Sequence, residues 1–295
     1  MKKILKLKIF KKVSVVCLIL LVIMTLYFIY VKLNKVSIIL SNNNNVEIYD
    51  ITRYEPEQKI LESLASPKSF DFKIPIFMYH FITDDYGNVT DTENYISPLK
   101  LEQQFKYISE NGYETVYITE FDQMYKYKKP VALTFDDCFV NFYNNAFPLL
   151  KKYNLKASIY IIINYIDGEN YLTTAQIKEM KDSNIIDIQS HTLSHSKLTS
   201  LKKEAIDKEL IDSKKALKEK FDIDSNVFCY PYGLSNNYVL DIAKQNYMFA
   251  LNMDGGIYYS NKHDIFKIPR IYANRSMPMN TYINYLKQSN VNAKW

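Results

Sequence analysis

The chain has 295 residues, with 37 Lys and Arg against 32 Asp and Glu, 47% hydrophobic and 15% aromatic residues, so it is long and apolar enough to bury a core and is not a disordered chain. Residues 1–35 hold eight lysines and no acid, which leaves a net charge of −3 on residues 36–295 and argues against a nucleic-acid-binding domain. Three cysteines are too few for a disulfide scaffold or a multi-cysteine zinc domain.

Residues 1–12 form a basic tail, and residues 13–31 are an uncharged apolar run. Nineteen residues at about 1.5 Å each span roughly 28 Å, close to the hydrocarbon core of a bilayer. The run is expected to be an uncleaved transmembrane helix, since it lacks the small-x-small cleavage site of a signal peptide. Its basic flank would stay in the cytoplasm, giving a single-pass cell-membrane protein whose remaining chain is extracellular. Residues 32–72, with the polar tract 41–45 (SNNNN), read as a stalk. From residue 73 to residue 295, short apolar runs alternate with amphipathic stretches. Strands are expected at 74–79, 115–118, 131–135, 157–163, 185–189, 227–230, 248–251 and 265–271. Helices are expected at 99–111, 144–153, 174–182, 201–220, 238–245 and 279–288. This alternation predicts an α/β fold with a parallel sheet, and about seven units in this length predict a barrel-like closure.

Two polar clusters interrupt the pattern at strand ends, where the loops of a parallel α/β fold converge. The strand through Val131 runs into Asp136 and Asp137. Two adjacent acids can divide labour between cation binding and proton transfer, or can simply cap the next helix. The second cluster, His191-Thr192-Leu193-Ser194-His195, places two of only four histidines within five residues. Two imidazoles and a carboxylate are a familiar facial ligand set for a divalent metal.

Thr134-Phe135-Asp136-Asp137, His191-Thr192-Leu193-Ser194-His195 and Cys229-Tyr230-Pro231-Tyr232-Gly233, in this order, resemble the motifs of the polysaccharide deacetylases of the NodB-homology type, carbohydrate esterase family 4. The resemblance covers roughly residues 73–290. It implies a distorted (β/α) barrel holding a divalent metal, commonly zinc. By the match, Asp137, His191 and His195 would be the ligands and Asp136 the general base. Pro231 and Tyr232 would line the substrate groove, and a backbone N–H near Tyr232 would face the developing oxyanion. The chain departs from the family at Cys138, where a glycine is usual, and at Cys229, where many members carry an arginine that braces the catalytic aspartate. A disulfide between these two cysteines remains open.

Pro75-Ile76-Phe77-Met78-Tyr79-His80 and Ile268-Pro269-Arg270-Ile271 are similar to segments of the biofilm-type deacetylases acting on poly-β-1,6-N-acetylglucosamine. This implies that His80 faces the site as a proton carrier or hydrogen-bond donor, and that Arg270 orients an acidic side chain in place of the missing arginine. A structural histidine and a surface ion pair are the competing readings. The expected activity is removal of N-acetyl groups from an extracellular N-acetylglucosamine polymer. A peptidoglycan deacetylase and a non-catalytic carbohydrate-binding protein of the same fold are the alternatives. No nucleic acid is expected as a partner, and no residue names a protein partner.

Overall fold

The computed structural model describes residues 67–294, apart from 68, 86 and 88–92, together with two short strands nearer the N-terminus. The chain divides into two units, 1–66 and 67–295. In the first unit, within the expected stalk, Ile38–Asn42 pairs antiparallel with Asn45–Tyr49. The expected membrane helix at 13–31 lies outside the described residues. Among the described residues no helix is long and apolar enough to cross a membrane.

The second unit is built on seven parallel strands: β1 Ile76–Tyr79, β2 Pro130–Phe135, β3 Ala157–Ile161, β4 Ile186–Ser190, β5 Val227–Cys229, β6 Phe249–Leu251 and β7 Ile271–Tyr272. They lie in the order β6-β5-β4-β3-β2-β1-β7. The short strand Glu114–Thr115 also pairs with the start of β2. The result is a parallel half-barrel of the (β/α) type. Its open side is bridged where Leu251 of β6 pairs with Ile268, and where Asn252 N–H donates to the Ile268 carbonyl at 2.9 Å.

Among the described residues seven α-helices lie along the second unit: α1 Pro98–Glu110, α2 Phe147–Tyr153, α3 Thr174–Asp182, α4 Lys203–Asp207, α5 Ser213–Phe221, α6 Asn237–Asn246 and α7 Met279–Leu286. Side-chain alternation along the strands separates two cores. Phe77, Leu133, Phe135, Ile159 and Ile161 join Leu101, Phe105, Leu150 and Ile177 of the helices. The intervening positions Ile76, Ala132, Tyr160, Val227, Cys229 and Leu251 form a second cluster, with Phe72, Ile118, Phe121 and Met124. At the carboxyl ends of the strands the second set turns polar, with His80, Asp136, Gln189 and His191 all buried.

Several elements differ from the sequence reading. The expected strand 74–79 is two strands, Ser69–Ile74 and β1, because Pro75 has no N–H for a ladder. Ser69–Ile74 instead pairs antiparallel with Tyr258–Tyr259 and Asn290–Lys294, neither of which was expected as a strand. The strand expected at 265–271 forms regular pairing only at Ile271–Tyr272, after Pro269. The helix expected at 201–220 is interrupted by a π turn at Lys208–Asp212, and the one expected at 144–153 begins with another at Phe142–Ala146. Ile118–Lys126 is 3₁₀-helical, where no helix was expected.

Candidate active site

Strand ends bring the polar residues together. His80 follows β1, Asp136 and Asp137 follow β2, His191 follows β4, and Pro231–Gly233 forms a turn just beyond β5. Asp136 is 3% exposed and receives two hydrogen bonds from Arg270, Nη1 to Oδ1 at 2.8 Å and Nη2 to Oδ2 at 2.7 Å. Arg270 is itself fully buried. It also donates through Nε to the Asn252 carbonyl at 3.0 Å and through Nη1 to Thr134 Oγ1 at 3.2 Å. Arg270 is therefore no surface ion pair. It occupies the bracing position for Asp136, while Cys229 sits between them, with Sγ 3.0 Å from Arg270 Nη2 and 3.5 Å from Asp136 Oδ2.

These neighbours set the charge states. Burial alone would raise Asp136, but the Arg270 charge and its hydrogen bonds outweigh it, so the carboxyl lies well below its ordinary range. His80, 9% exposed, is lowered by burial despite the pull of Asp136 and Asp137, and is therefore neutral at pH 7. Its Nε2 lies 3.8 Å from Asp136 Oδ2, and its ring lies parallel to Tyr272 at 6.0 Å. Burial pushes the Cys229 and Cys138 thiols up, so both are protonated. Both are free thiols, and no disulfide joins them.

Asp137, His191 and His195 form a separate cluster. Asp137 Oδ1 lies 3.4 Å from Nε2 of each histidine, and this buried oxygen has no hydrogen-bond partner. An orphaned carboxylate oxygen between two imidazole nitrogens is costly unless something positive binds there. His191 Nδ1 donates to the Cys229 carbonyl at 2.8 Å, which fixes the tautomer and leaves Nε2 free to ligate. Burial by itself would lower His191, whereas the Asp137 carboxylate beside Nε2 raises it, so a cation taking that nitrogen would displace a proton. Two histidines and a carboxylate arranged in this way fit a divalent metal. Asp136, His191 and Cys229 also converge, but the guanidinium of Arg270 already contacts two of them and would repel a cation.

The loops carrying these candidate ligands have unusual backbones. Asp137, Cys138, Thr192 and His195 all have positive φ, between 57° and 72°, a region that costs L-residues energy. Local bonds hold the second loop: His195 N–H donates to Thr192 Oγ1 at 2.9 Å, and Glu209 accepts from the backbone N–H groups of Leu193 and Ser194 at 2.9 and 3.0 Å. Tyr232 is 54% exposed and its ring lies 4.7 Å from that of His195, whereas Pro231 is buried. Glu209 and Tyr272 were not anticipated from the sequence, and for Thr134 and Cys229, which lie in the quoted motifs, the contacts with Arg270 and His191 were not. No short motif links Glu209 or Tyr272 to the candidate ligands, and each meets the site only through the fold.

The sequence matches the family described as polysaccharide deacetylase over residues 124–250. A protein named as a polysaccharide deacetylase in Bacillus subtilis (strain 168) is 32% identical over 221 residues, covering 73% of this chain and 76% of the relative. The chain belongs to the polysaccharide deacetylase family. A poly-β-1,6-N-acetyl-D-glucosamine N-deacetylase of Staphylococcus aureus is 28% identical over 214 residues, covering 66% of this chain and 72% of that protein. The solved structure of a Streptococcus pyogenes deacetylase in complex with acetate superimposes with a TM-score of 0.67 at 29% identity, over 72% of this chain and 98% of that one. In this chain the parallel half-barrel carries the motif residues at one end of its sheet, and Cys138 and Cys229 are both buried.

Proposed function

We propose that the protein is a divalent-metal-dependent N-deacetylase of an extracellular amino-sugar polymer, with poly-β-1,6-N-acetylglucosamine as its substrate. The observation that carries the metal reading is the partnerless Asp137 Oδ1 facing two histidine nitrogens, beside a second carboxylate that Arg270 holds apart. The likeness to the Staphylococcus aureus relative supports the choice of polymer. The apolar run at 13–31 supports a single membrane anchor with the deacetylase domain outside the cell.

A cation held by Asp137, His191 and His195, with zinc the usual ion for such donors, would polarise the acetamide carbonyl and lower the pKa of water. Asp136 is ionised and takes the proton released as water adds to the carbonyl carbon. Arg270 keeps that carboxylate oriented, because both its oxygens are tied in a fork geometry. The C–N bond then breaks, acetate forms, and the sugar amine leaves with a proton. His80, neutral and 3.8 Å from Asp136, passes that proton on. Tyr232 offers an exposed ring beside the site for packing against a sugar face.

The test is acetate release by the purified protein from β-1,6-linked N-acetylglucosamine oligomers and from peptidoglycan, each with and without chelator, with Asp136→Asn as control. Chelator-sensitive release from the β-1,6 oligomers, lost in Asp136→Asn, is the expected result. Release from peptidoglycan alone would replace the substrate, and no release from either by a folded, metal-loaded protein would favour a non-catalytic carbohydrate-binding role.

A further inference from the structure

The loop from His191 to His195 is strained; Ile163 and Asn164 N–H donate to its Thr192 and Leu193 carbonyls at 3.2 and 2.9 Å, and its own N–H groups at Leu193 and Ser194 are held by one side chain, Glu209. Thr192 and His195 both lie in the left-handed region, and Thr192 is β-branched, the kind of residue least suited to it. Such a conformation persists only where the surroundings over-determine it. Besides the internal bond from His195 N–H to Thr192 Oγ1, the loop is tied by Glu209. Its Oε2 accepts from Leu193 N–H at 2.9 Å and Ser194 N–H at 3.0 Å, and its Oε1 accepts from the Ser194 hydroxyl. Glu209 lies in the π turn Lys208–Asp212, a break in the helical ladder of a kind often found beside functional sites. The same turn is tied to the strand end beneath the loop: Ser213, its next residue, shares a 2.8 Å hydrogen bond with Ser190, and Ser190 Oγ accepts from Thr192 N–H at 3.3 Å. The helix thus grips the loop on both sides of Thr192.

We infer that Glu209 is the positioning residue of the metal-binding loop: its carboxylate fixes the backbone of Leu193 and Ser194, and so sets where His195 presents its imidazole to a cation. Glu209 touches neither ligand nor substrate and acts only through the loop. The inference rests on the metal-dependent reading above.

The experiment titrates the purified full chain with Co²⁺, reading affinity by competition with a chelating dye and ligand geometry by the visible d–d spectrum. Glu209→Ala is expected to bind Co²⁺ about 10–100-fold more weakly and with an altered spectrum, the usual range for losing an outer-shell partner. Glu209→Gln keeps an acceptor for the two amides and is expected to stay within a few-fold of wild type. Glu204→Ala, an exposed position on the preceding helix, is expected to match wild type in both readouts. If Glu209→Ala does not fold, Glu209→Asp, which withdraws the carboxylate from the loop, takes its place with the same expected loss. Wild-type affinity and spectrum in the folded Ala or Asp variant would overturn the inference and leave the metal site standing. No Co²⁺ binding by wild type itself would overturn the metal reading and the inference with it.

Discussion

Replacing Arg270 with methionine is the sharpest test of how the site is held. In the wild type a fully buried guanidinium and a carboxylate that is 3% exposed meet through two hydrogen bonds of 2.7 and 2.8 Å. Two unit charges about 4 Å apart interact by about 4 kcal/mol at an effective dielectric of 20. Much of that gain offsets the cost of taking both charges out of water, so the pair as a whole adds little stability. Removing one partner is different, because the other stays buried without a counter-charge. Arg270→Met is therefore expected to cost about 3–5 kcal/mol, measured by urea unfolding of the metal-free protein at pH 7. Asp136→Asn, which strands the guanidinium instead, is also expected to destabilise. The double variant Arg270→Met with Asp136→Asn is expected to recover part of the loss, with a coupling energy of about 2–3 kcal/mol. Arg270→Lys is expected to rescue poorly, since an ammonium cannot span both carboxylate oxygens and also reach Asn252. Single-variant effects that simply add, with a coupling below about 0.5 kcal/mol, would refute the reasoning that Arg270 balances Asp136.

Three further outcomes follow from particular contacts. His191→Ala or Asp137→Asn is expected to abolish tight Zn²⁺ binding, read by calorimetry, and a chelator is expected to silence wild-type acetate release; retained binding in either variant would remove that residue from the ligand set. Burial lifts Asp187 from its ordinary carboxylate value to about 6, so the folded chain holds this proton more tightly than the unfolded one. Its contribution to stability therefore falls as pH rises from about 4 to about 6, by at most about 3 kcal/mol, and Asp187→Asn is expected to flatten that fall and stabilise the protein at pH 7. Parallel stability profiles for the two proteins across that range would contradict it. Gly233 has φ +66°, and a Cβ there would meet Met253 Cβ at 2.8 Å and its backbone N at 2.9 Å. Gly233→Ala is accordingly expected to cost about 1–3 kcal/mol and to raise KM by displacing the neighbouring Tyr232, with an unchanged melting temperature as the refuting result.

The candidate site residues were legible because each set is local. Asp136 and Asp137 end one apolar strand, and His191 and His195 sit four apart after another, so spacing and strand position alone bring candidate ligands to one end of a parallel sheet. The strand–helix alternation was legible for the same reason, and most expected elements lie within a few residues of the observed ones. The misses came where local rules were overridden: at Pro75 and Pro269, where a missing donor split or shortened a strand, and at Lys208–Asp212, where a π turn broke an amphipathic helix whose apolar periodicity gave no sign of it.

The sequence by itself determined the family, the parallel sheet and the candidate site residues, because those depend on residue identity and short-range order. Only the tertiary structure decided that Arg270, 134 residues from Asp136, enters the barrel to pair with it, and that Glu209 reaches back to clamp the histidine loop. It also left Cys138 and Cys229 as separate buried thiols. These outcomes depend on which side chains face the same interior. Strand order, register and the π turn set that, and they arise from the packing of the whole chain rather than from any segment of it.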